Sequence, residues 1–293
     1  MVRRGNFHVF ATITILGWSI SYVLTRMAME HFSARSLGFL RYAIATAVLA
    51  AVACSFRIFP PARKDWGLVA ASGATGFFLY MIAFNTGAET ETAAVSSIVI
   101  ATAPVMTALL GWAMYGERLA SVRWAAIAIE FTGILMLNIR DGSFSVGRGI
   151  LWLLLAAFLL SVFNLLQRKL TKTCGGLRAS VYSIFAGAAM LAVFSRGAIG
   201  EALSAQPEHL FYVAMLGVFS SAVSYVSWSM AIERAPSTSS VSNYMFITPL
   251  LAAALGFAIA NERPDLGTMA GGTVILFGVF LFNFAGRSSA RVG

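Results

Sequence analysis

Charge is what this sequence has least of. Asp, Glu, Lys and Arg make up 11% of its 293 residues, against about a quarter in an average soluble domain. A water-soluble globule of this length could not cover its surface with so few charges, which argues against a soluble enzyme. Cysteine is almost absent. Cys54 and Cys174 are the only two, so there is no disulfide framework. Histidine occurs only at His8, His31 and His209, each near the end of an apolar run. No Cys/His cluster has metal-ligand spacing, and no metal is expected. Walker A, His-Glu-x-x-His and Gly-x-Ser-x-Gly sequences are also missing, so nucleotide hydrolysis and the common hydrolase chemistries have no visible basis. No cofactor and no catalytic residue is expected.

What the chain does have is apolar length. Hydrophobic residues make up 58% and the mean hydropathy is +0.78. Uncharged apolar runs of about 18 or more residues read as transmembrane helices. Ten are expected: Phe7–Met29, Ser36–Phe56, Asp65–Asn85, Thr92–Tyr115, Ser121–Ile139, Arg148–Leu170, Arg178–Ser195, His209–Ile232, Ser237–Ala260 and Leu266–Ala285. The loops between them are too short for a soluble catalytic or ATP-binding domain. An outer-membrane barrel would need strands of about ten residues with strict alternation, and these runs are longer and unbroken. Met1-Val2-Arg3-Arg4 resembles the start of a signal peptide. The following run is too long for one and no small-x-small site ends it, so a retained first helix is expected.

The net charge is +9, which on a soluble protein would suggest nucleic acid. With the N-terminus in the cytoplasm, the cytoplasmic segments carry twice as many Lys and Arg as the opposite side. That is the positive-inside bias, with both termini inside. The cations are spread over short loops and tails, so they set topology and no nucleic-acid partner is expected. Both cysteines then lie on the reducing cytoplasmic side as free thiols.

The chain is written twice. Shifted by 145 residues, Tyr80 meets Tyr225, Ser97 meets Ser242, Pro104 meets Pro249 and Gly111 meets Gly256. Further along, Glu117-Arg118 meets Glu262-Arg263, Gly133 meets Gly278 and Asn138 meets Asn283. One offset holds across four helices without a gap. Five helices per half is an odd number, so the second half must enter the membrane upside down. The expected fold is an all-α membrane protein of ten transmembrane helices, as two inverted five-helix repeats over residues 1–146 and 147–293. Inverted repeats are typical of secondary transporters, because two mirror-like halves can exchange conformations around a shared site.

Two segments carry a family resemblance. One runs from Ala93-Ala94-Val95-Ser96-Ser97 through Ala103-Pro104 to Gly111-Trp112 and Gly116-Glu117-Arg118. The other runs from Ser239-Ser240-Val241-Ser242 through Thr248-Pro249 to Gly256-Phe257 and Asn261-Glu262-Arg263. With the ten-helix duplication, they resemble the drug/metabolite transporter superfamily in its EamA-type exporter branch. Within it the chain looks most like bacterial aromatic amino acid exporters. Asn261 replaces the family's glycine at the second corner. The resemblance implies a cavity between the halves lined by helices 1, 3, 4, 6, 8 and 9, with helices 5 and 10 peripheral. In the four-helix multidrug relatives a helix-1 glutamate binds cations. Helix 1 here has only Glu30, at its end, which argues against a lipophilic-cation exporter.

Pro104 and Pro249 are expected near the middle of helices 4 and 9. Proline frees the carbonyl four residues back, here Ile100 and Met245, and matched interruptions in two halves point to a transport site and to hinges. Trp18, Ser21, Tyr22 and Thr25 share one face of helix 1. Phe163, Asn164 and Gln167 match Trp18, Ser19 and Tyr22 on helix 6. Tyr80, Asn85, Ser96, Ser97, Tyr225, Trp228, Ser229, Asn243 and Tyr244 complete the polar and aromatic set. A pocket with aromatic walls and uncharged polar points suits a small zwitterion. The substrate-contact set is Trp18, Tyr22, Tyr80, Ser97, Asn164, Gln167, Tyr225, Asn243 and Tyr244. Trp228 and Asn85 equally suit interfacial belt positions.

Two charges fall inside expected spans. Glu130, near the centre of helix 5, is either a proton-coupling carboxylate or a structural one. Arg41 is expected to snorkel outward or pair with Glu30. The Gly267–Gly271 spacing is a weak match to a helix-dimer motif, and a monomer is expected. The whole reads as a bacterial inner-membrane exporter of amino acids, aromatic ones included, working by alternating access. Nucleotide-sugar and cationic-drug transport in the same superfamily, and an intramembrane enzyme, are the rival readings.

Overall fold

The computed structural model describes residues 7–115, 121–137, 139–140, 143–144, 147–234 and 243–289. Its helices are α1 (Phe7–Ala28), α2 (Ala34–Ser55), α3 (Arg63–Ala88), α4 (in two halves, Ala93–Ile100 and Ala103–Tyr115), α5 (Ser121–Leu137), α6 (Arg148–Cys174), α7 (Gly176–Ser204), α8 (residues 207–234), α9 (a 3-10 turn, Asn243–Phe246, then Ile247–Ala260) and α10 (Leu266–Ser289). A two-residue antiparallel ladder, Ile139–Arg140 on Ser143–Phe144, joins α5 to α6.

Local chemistry fixes several helix ends. Ser33 and Thr92 cap α2 and α4, their hydroxyls accepting from the Ser36 and Val95 N–H groups. Asp65 precedes the α-helical part of α3 without capping it, whereas the Asp265 carboxylate accepts from the Thr268 N–H at 2.6 Å and starts α10. Pro207 opens α8, where its missing N–H costs nothing. Asn261 ends α9 with φ 55. That left-handed conformation favours Gly first and Asn next, so the replacement at this corner preserves the turn.

Among the described residues, seven helices are long and apolar enough to cross a membrane: α1, α2, α3, α4, α6, α7 and residues 207–228 of α8. Ile247–Ala260 and Leu266–Phe282 are apolar but shorter, and α5 has 17 residues. The span expected from Ser237 is visible only from residue 243; residues 235–242, the Glu117-Arg118 corner and residues 1–6 lie outside the described residues. Large apolar side chains face outward along the bundle, among them Phe131, Leu151, Phe158, Phe277 and Phe280. In water such a surface would aggregate; in lipid it needs no cover.

The principal core draws on all ten helices around Tyr42, Phe77, Met81, Leu153 and Ile184. The α5 and α10 helices form a tight pair. A Cβ added to Gly133 would lie 2.6 Å from Ile275 Cγ1 and 2.8 Å from the Gly271 carbonyl. One added to Gly278 would lie 2.6 Å from Glu130 Cγ and 3.0 Å from the Ala126 carbonyl. Advancing Glu130 and Ala126 by 145 gives Ile275 and Gly271, so one contact is made twice with the partners exchanged. Gly271 is thus spent within the chain, against Gly133, and is not free for the dimer face its spacing suggested.

Two π-helical turns were not legible in advance. Ala74–Leu79 interrupts α3 and Leu216–Val223 interrupts α8. The 145-residue shift superposes them over residues 74–78 and 219–223. Such turns insert an extra residue and often mark functional positions.

Candidate functional site

The aromatic residues singled out from sequence converge. Trp18 on α1 lies edge-on to Tyr225 of α8, ring centroids 5.6 Å apart, and 5.1 Å from Trp228. Tyr225 meets Phe77 of α3 at 5.3 Å, and Phe77 meets Phe163 of α6 at 5.2 Å. Tyr22 meets Phe84 at 5.5 Å, and Phe84 stacks on Tyr80 at 5.7 Å. One aromatic network therefore links α1, α3, α6 and α8.

Small residues make this convergence possible. A Cβ on Gly76 would sit 2.2 Å from the Phe163 ring, and one on Gly17 would sit 2.1 Å from Ser224 Oγ. Glycine at both positions lets α3 approach α6 and α1 approach α8. The π turns supply the rest: Phe77 lies inside one, and Tyr225 follows the other by two residues. Ser224 Oγ donates to the Phe219 carbonyl at 2.9 Å, closing a bond within that widened turn. Sequence reasoning missed Phe77, and also Tyr42, whose ring is 5.3 Å from it. Their only advance signal was position, since neither carries a motif.

Both prolines do break helices, but by starting them. After Ile100 the chain makes a two-residue turn, and Pro104 is the second residue of the next helix. Pro249 is the third residue of its α-helix, behind a 3-10 turn. Neither is mid-helix, because a first-turn N–H has no intrahelical partner to lose. The carbonyl before each proline is bonded across the bundle. Ser161 Oγ of α6 donates to the Ala103 carbonyl at 2.8 Å, and Ser19 Oγ of α1 donates to the Thr248 carbonyl at 3.4 Å.

Other candidates lie apart from the rings. Asn164 is exposed, with Nδ2 3.5 Å from Thr107 Oγ1. Gln167 Nε2 donates to Ser183 Oγ at 3.1 Å and ties α6 to α7. Ser97 Oγ turns back to the Ala94 carbonyl of its own helix at 2.8 Å. Asn85 Nδ2 donates to the Ala34 carbonyl at 2.8 Å, latching α3 to the start of α2. Tyr244 is hydrogen-bonded to His8 and packs near Trp228 beside Phe7 and Phe10. The side chains of Asn243 and Ser229 lie outside the described residues. Glu130 is buried between α5 and α10, its Oε1 without a hydrogen-bond partner.

Arg41 corrects the expectation made for it. It neither snorkels nor pairs with Glu30. It is 5% exposed, and its Nε donates to Ser221 Oγ at 2.7 Å, inside the π turn of α8. Here α2 packs closely on α8 at Gly217, which admits no Cβ against Ile44 and the Arg41 carbonyl.

One end of the bundle is stitched by carboxylates. Arg26 and Glu262 form the one ion pair among the described residues. Arg26 also donates to the Ala88 carbonyl at 2.9 Å. Glu201 accepts from the Ser33 N–H and from the Ser33 and Ser36 hydroxyls at 2.8 to 2.9 Å. These bonds join the loops flanking α1, α2, α3, α4, α7 and α9.

The model of the EamA-like transporter family matches residues 6–139 and again 147–284. The chain belongs to the EamA-like transporter family. It is a multi-pass membrane protein of that family, within the superfamily its sequence resembles. A probable terminal-alkyne amino-acid exporter of Streptantibioticus cattleyicolor is 26% identical over 92% of this chain and 91% of its own length. An uncharacterized transporter of Bacillus subtilis, YdfC, is 27% identical over 89% of this chain and 86% of its own. A solved crystal structure superposes with a TM-score of 0.66 at 19% identity, covering 97% of this chain and 98% of the other. At that identity it supports the fold alone. The family and these relatives are named as transporters.

Proposed function

We propose that this EamA-family chain exports amino acids across the bacterial inner membrane, as a monomer with both termini in the cytoplasm. Ten spans form two inverted halves, residues 1–146 and 147–293, which alternate access to a site between them. The exchanged Gly133 and Gly278 contacts and the matched π turns support a two-fold relation between the halves. Three shorter helices, α5, α9 and α10, then complete the seven of full length.

The observation that carries the substrate class is the ring network of Trp18, Phe77, Phe163 and Tyr225, two residues from each half. Aromatic faces accept an apolar or aromatic side chain and attract an ammonium. Tyr22, Tyr80, Ser97, Asn164, Gln167, Asn243 and Tyr244 are assigned to the walls and mouth of the path. Pro104 and Pro249 act as hinges, since each begins a helix half that can tilt on its serine-held carbonyl. Glu130 is assigned to proton coupling. The amino-acid exporter among the relatives agrees with this substrate class.

Purified protein in liposomes, offered amino acids, nucleotide sugars and cationic dyes, tests the assignment. Amino-acid flux that nucleotide sugars do not inhibit is expected. Chemical conversion without flux would overturn it in favour of an enzyme, and dye flux in favour of a drug transporter.

A further inference from the structure

Aromatic walls do not account for Arg41. Burying a guanidinium inside a membrane bundle is costly, and such residues face partners or a pathway. Arg41 has Ser221 Oγ on its Nε and the Tyr42 ring 5.8 Å from its guanidinium carbon. The phenols of Tyr22, Tyr42, Tyr80 and Tyr225, drawn from α1, α2, α3 and α8, all interact electrostatically with it. Two of them, Tyr80 and Tyr225, are related by the 145-residue shift. Among the described residues no carboxylate stands within ion-pair distance, the single ion pair being Arg26–Glu262. Among the described residues Arg41 is also the only buried Lys or Arg.

A fork of N–H groups matches a carboxylate in two parallel bonds, which a lysine cannot reproduce. The Ser221 bond uses Nε and leaves the terminal nitrogens for an acceptor. Tyr42 connects this cation to the rest of the network, since its ring meets Phe77, which meets Tyr225 and Phe163. A zwitterion with its carboxylate at Arg41 would have aromatic faces within its own length for the ammonium and side chain.

We propose that Arg41 holds the carboxylate of the transported substrate, with the surrounding tyrosine hydroxyls as further donors. This rests on the amino-acid assignment and narrows it: the substrate must carry a free carboxylate. One guanidinium balances one carboxylate, whereas the pyrophosphate of a nucleotide sugar would call for additional cations.

The test compares phenylalanine, phenylalaninamide and the corresponding 2-keto acid in liposomes bearing the full chain. Wild-type protein is expected to carry phenylalanine at least ~10-fold better in kcat/KM than its amide, the discrimination typical of a charge-assisted buried pair. Arg41→Gln should lose at least ~10-fold on phenylalanine and change by less than about twofold on the amide, with Arg41→Lys between the two. Retained preference in Arg41→Gln overturns the proposal. So does equal loss on acid and amide in a protein of wild-type thermal stability, because that marks a structural arginine. Should Arg41→Gln fail to insert, Ser221→Ala serves: KM for phenylalanine alone should rise, and no change overturns the proposal. Wild-type flux of the keto acid without flux of phenylalanine refutes the amino-acid assignment and leaves the carboxylate site standing. Wild-type flux of phenylalanine with no preference over its amide refutes the carboxylate site and leaves the assignment standing.

Discussion

Arg26 Nε lies 3.2 Å from one oxygen of Glu262, and the other oxygen accepts from the Ala93 N–H at 2.8 Å. One carboxylate thereby fastens the end of α1 to the start of α4 from the corner after α9. The negative oxygen also sits at the positive end of the first half of α4, where the helix dipole favours it. The pair is partly screened, with Arg26 31% and Glu262 12% exposed. Its weight comes from the three elements it joins more than from Coulomb attraction.

Glu262→Gln should loosen this end of the bundle. A stability loss of about 1–2 kcal/mol is expected from weakening the bonds to Arg26 and Ala93, read by thermal unfolding in detergent. A cysteine placed at Ala94, which is buried beside the cap, should label faster with a membrane-impermeant maleimide in the Glu262→Gln background. An unchanged labelling rate would show that the pair does not hold this end shut.

Gly133→Leu should destabilise the chain without touching the site. The new side chain has only Ile275 and the Gly271 backbone to displace, and overpacking of this kind costs about 1–3 kcal/mol. Flux per folded molecule is expected to stay at the wild-type level. Gly278→Leu should destabilise the chain to a similar degree, but its side chain displaces Glu130, so its flux under an imposed pH gradient is expected to fall as well.

Trp18→Ala removes a ring that touches both Tyr225 and Trp228. KM for aromatic amino acids should rise by about tenfold, in keeping with ~1–2 kcal/mol per aromatic contact. Wild-type affinity in a folded Trp18→Ala protein would remove this residue from the site.

Pro104→Ala and Pro249→Ala probe the hinges. Both prolines occupy first turns, so alanine fits without strain and the melting temperature should stay close to wild type. Turnover should fall several-fold while KM holds, because the restored N–H can reach back across the break to the Ile100 or Met245 carbonyl and bridge it. A change in KM alone would argue for a role in shaping the site.

Glu130→Gln keeps the shape of the side chain in the α5–α10 interface and removes its proton-exchanging group. Flux driven by an imposed pH gradient is expected to fall to the level seen without one. A response equal to wild type would assign Glu130 to helix packing.

The broad architecture was legible because it is written locally. Apolar length gave the helices, since a span in lipid must satisfy every backbone group within itself. Trp18, Tyr80 and Tyr225 were legible as candidates because large aromatic and polar side chains are scarce in such spans. Asn164 and Gln167 match Ser19 and Tyr22 by register, yet their amides meet Thr107 and Ser183 instead. Register gives a face of an ideal helix, and the contacts of α6 with α4 and α7 decide where that face looks.

By itself the sequence determined an apolar, helical, duplicated chain with breaks at Pro104 and Pro249, because hydropathy, offset and proline stereochemistry need no partner. Tertiary structure decided what depends on distant residues meeting. It brought Ser221 to Arg41 across 180 positions and Glu262 to Ala93 across 169. It also widened α3 and α8 into π turns that carry Phe77 inward. A cation's partner is chosen by the packing of two helices: Gly217 lets α2 and α8 close on each other at the Arg41 backbone, and Ser221 of α8 takes the Arg41 Nε.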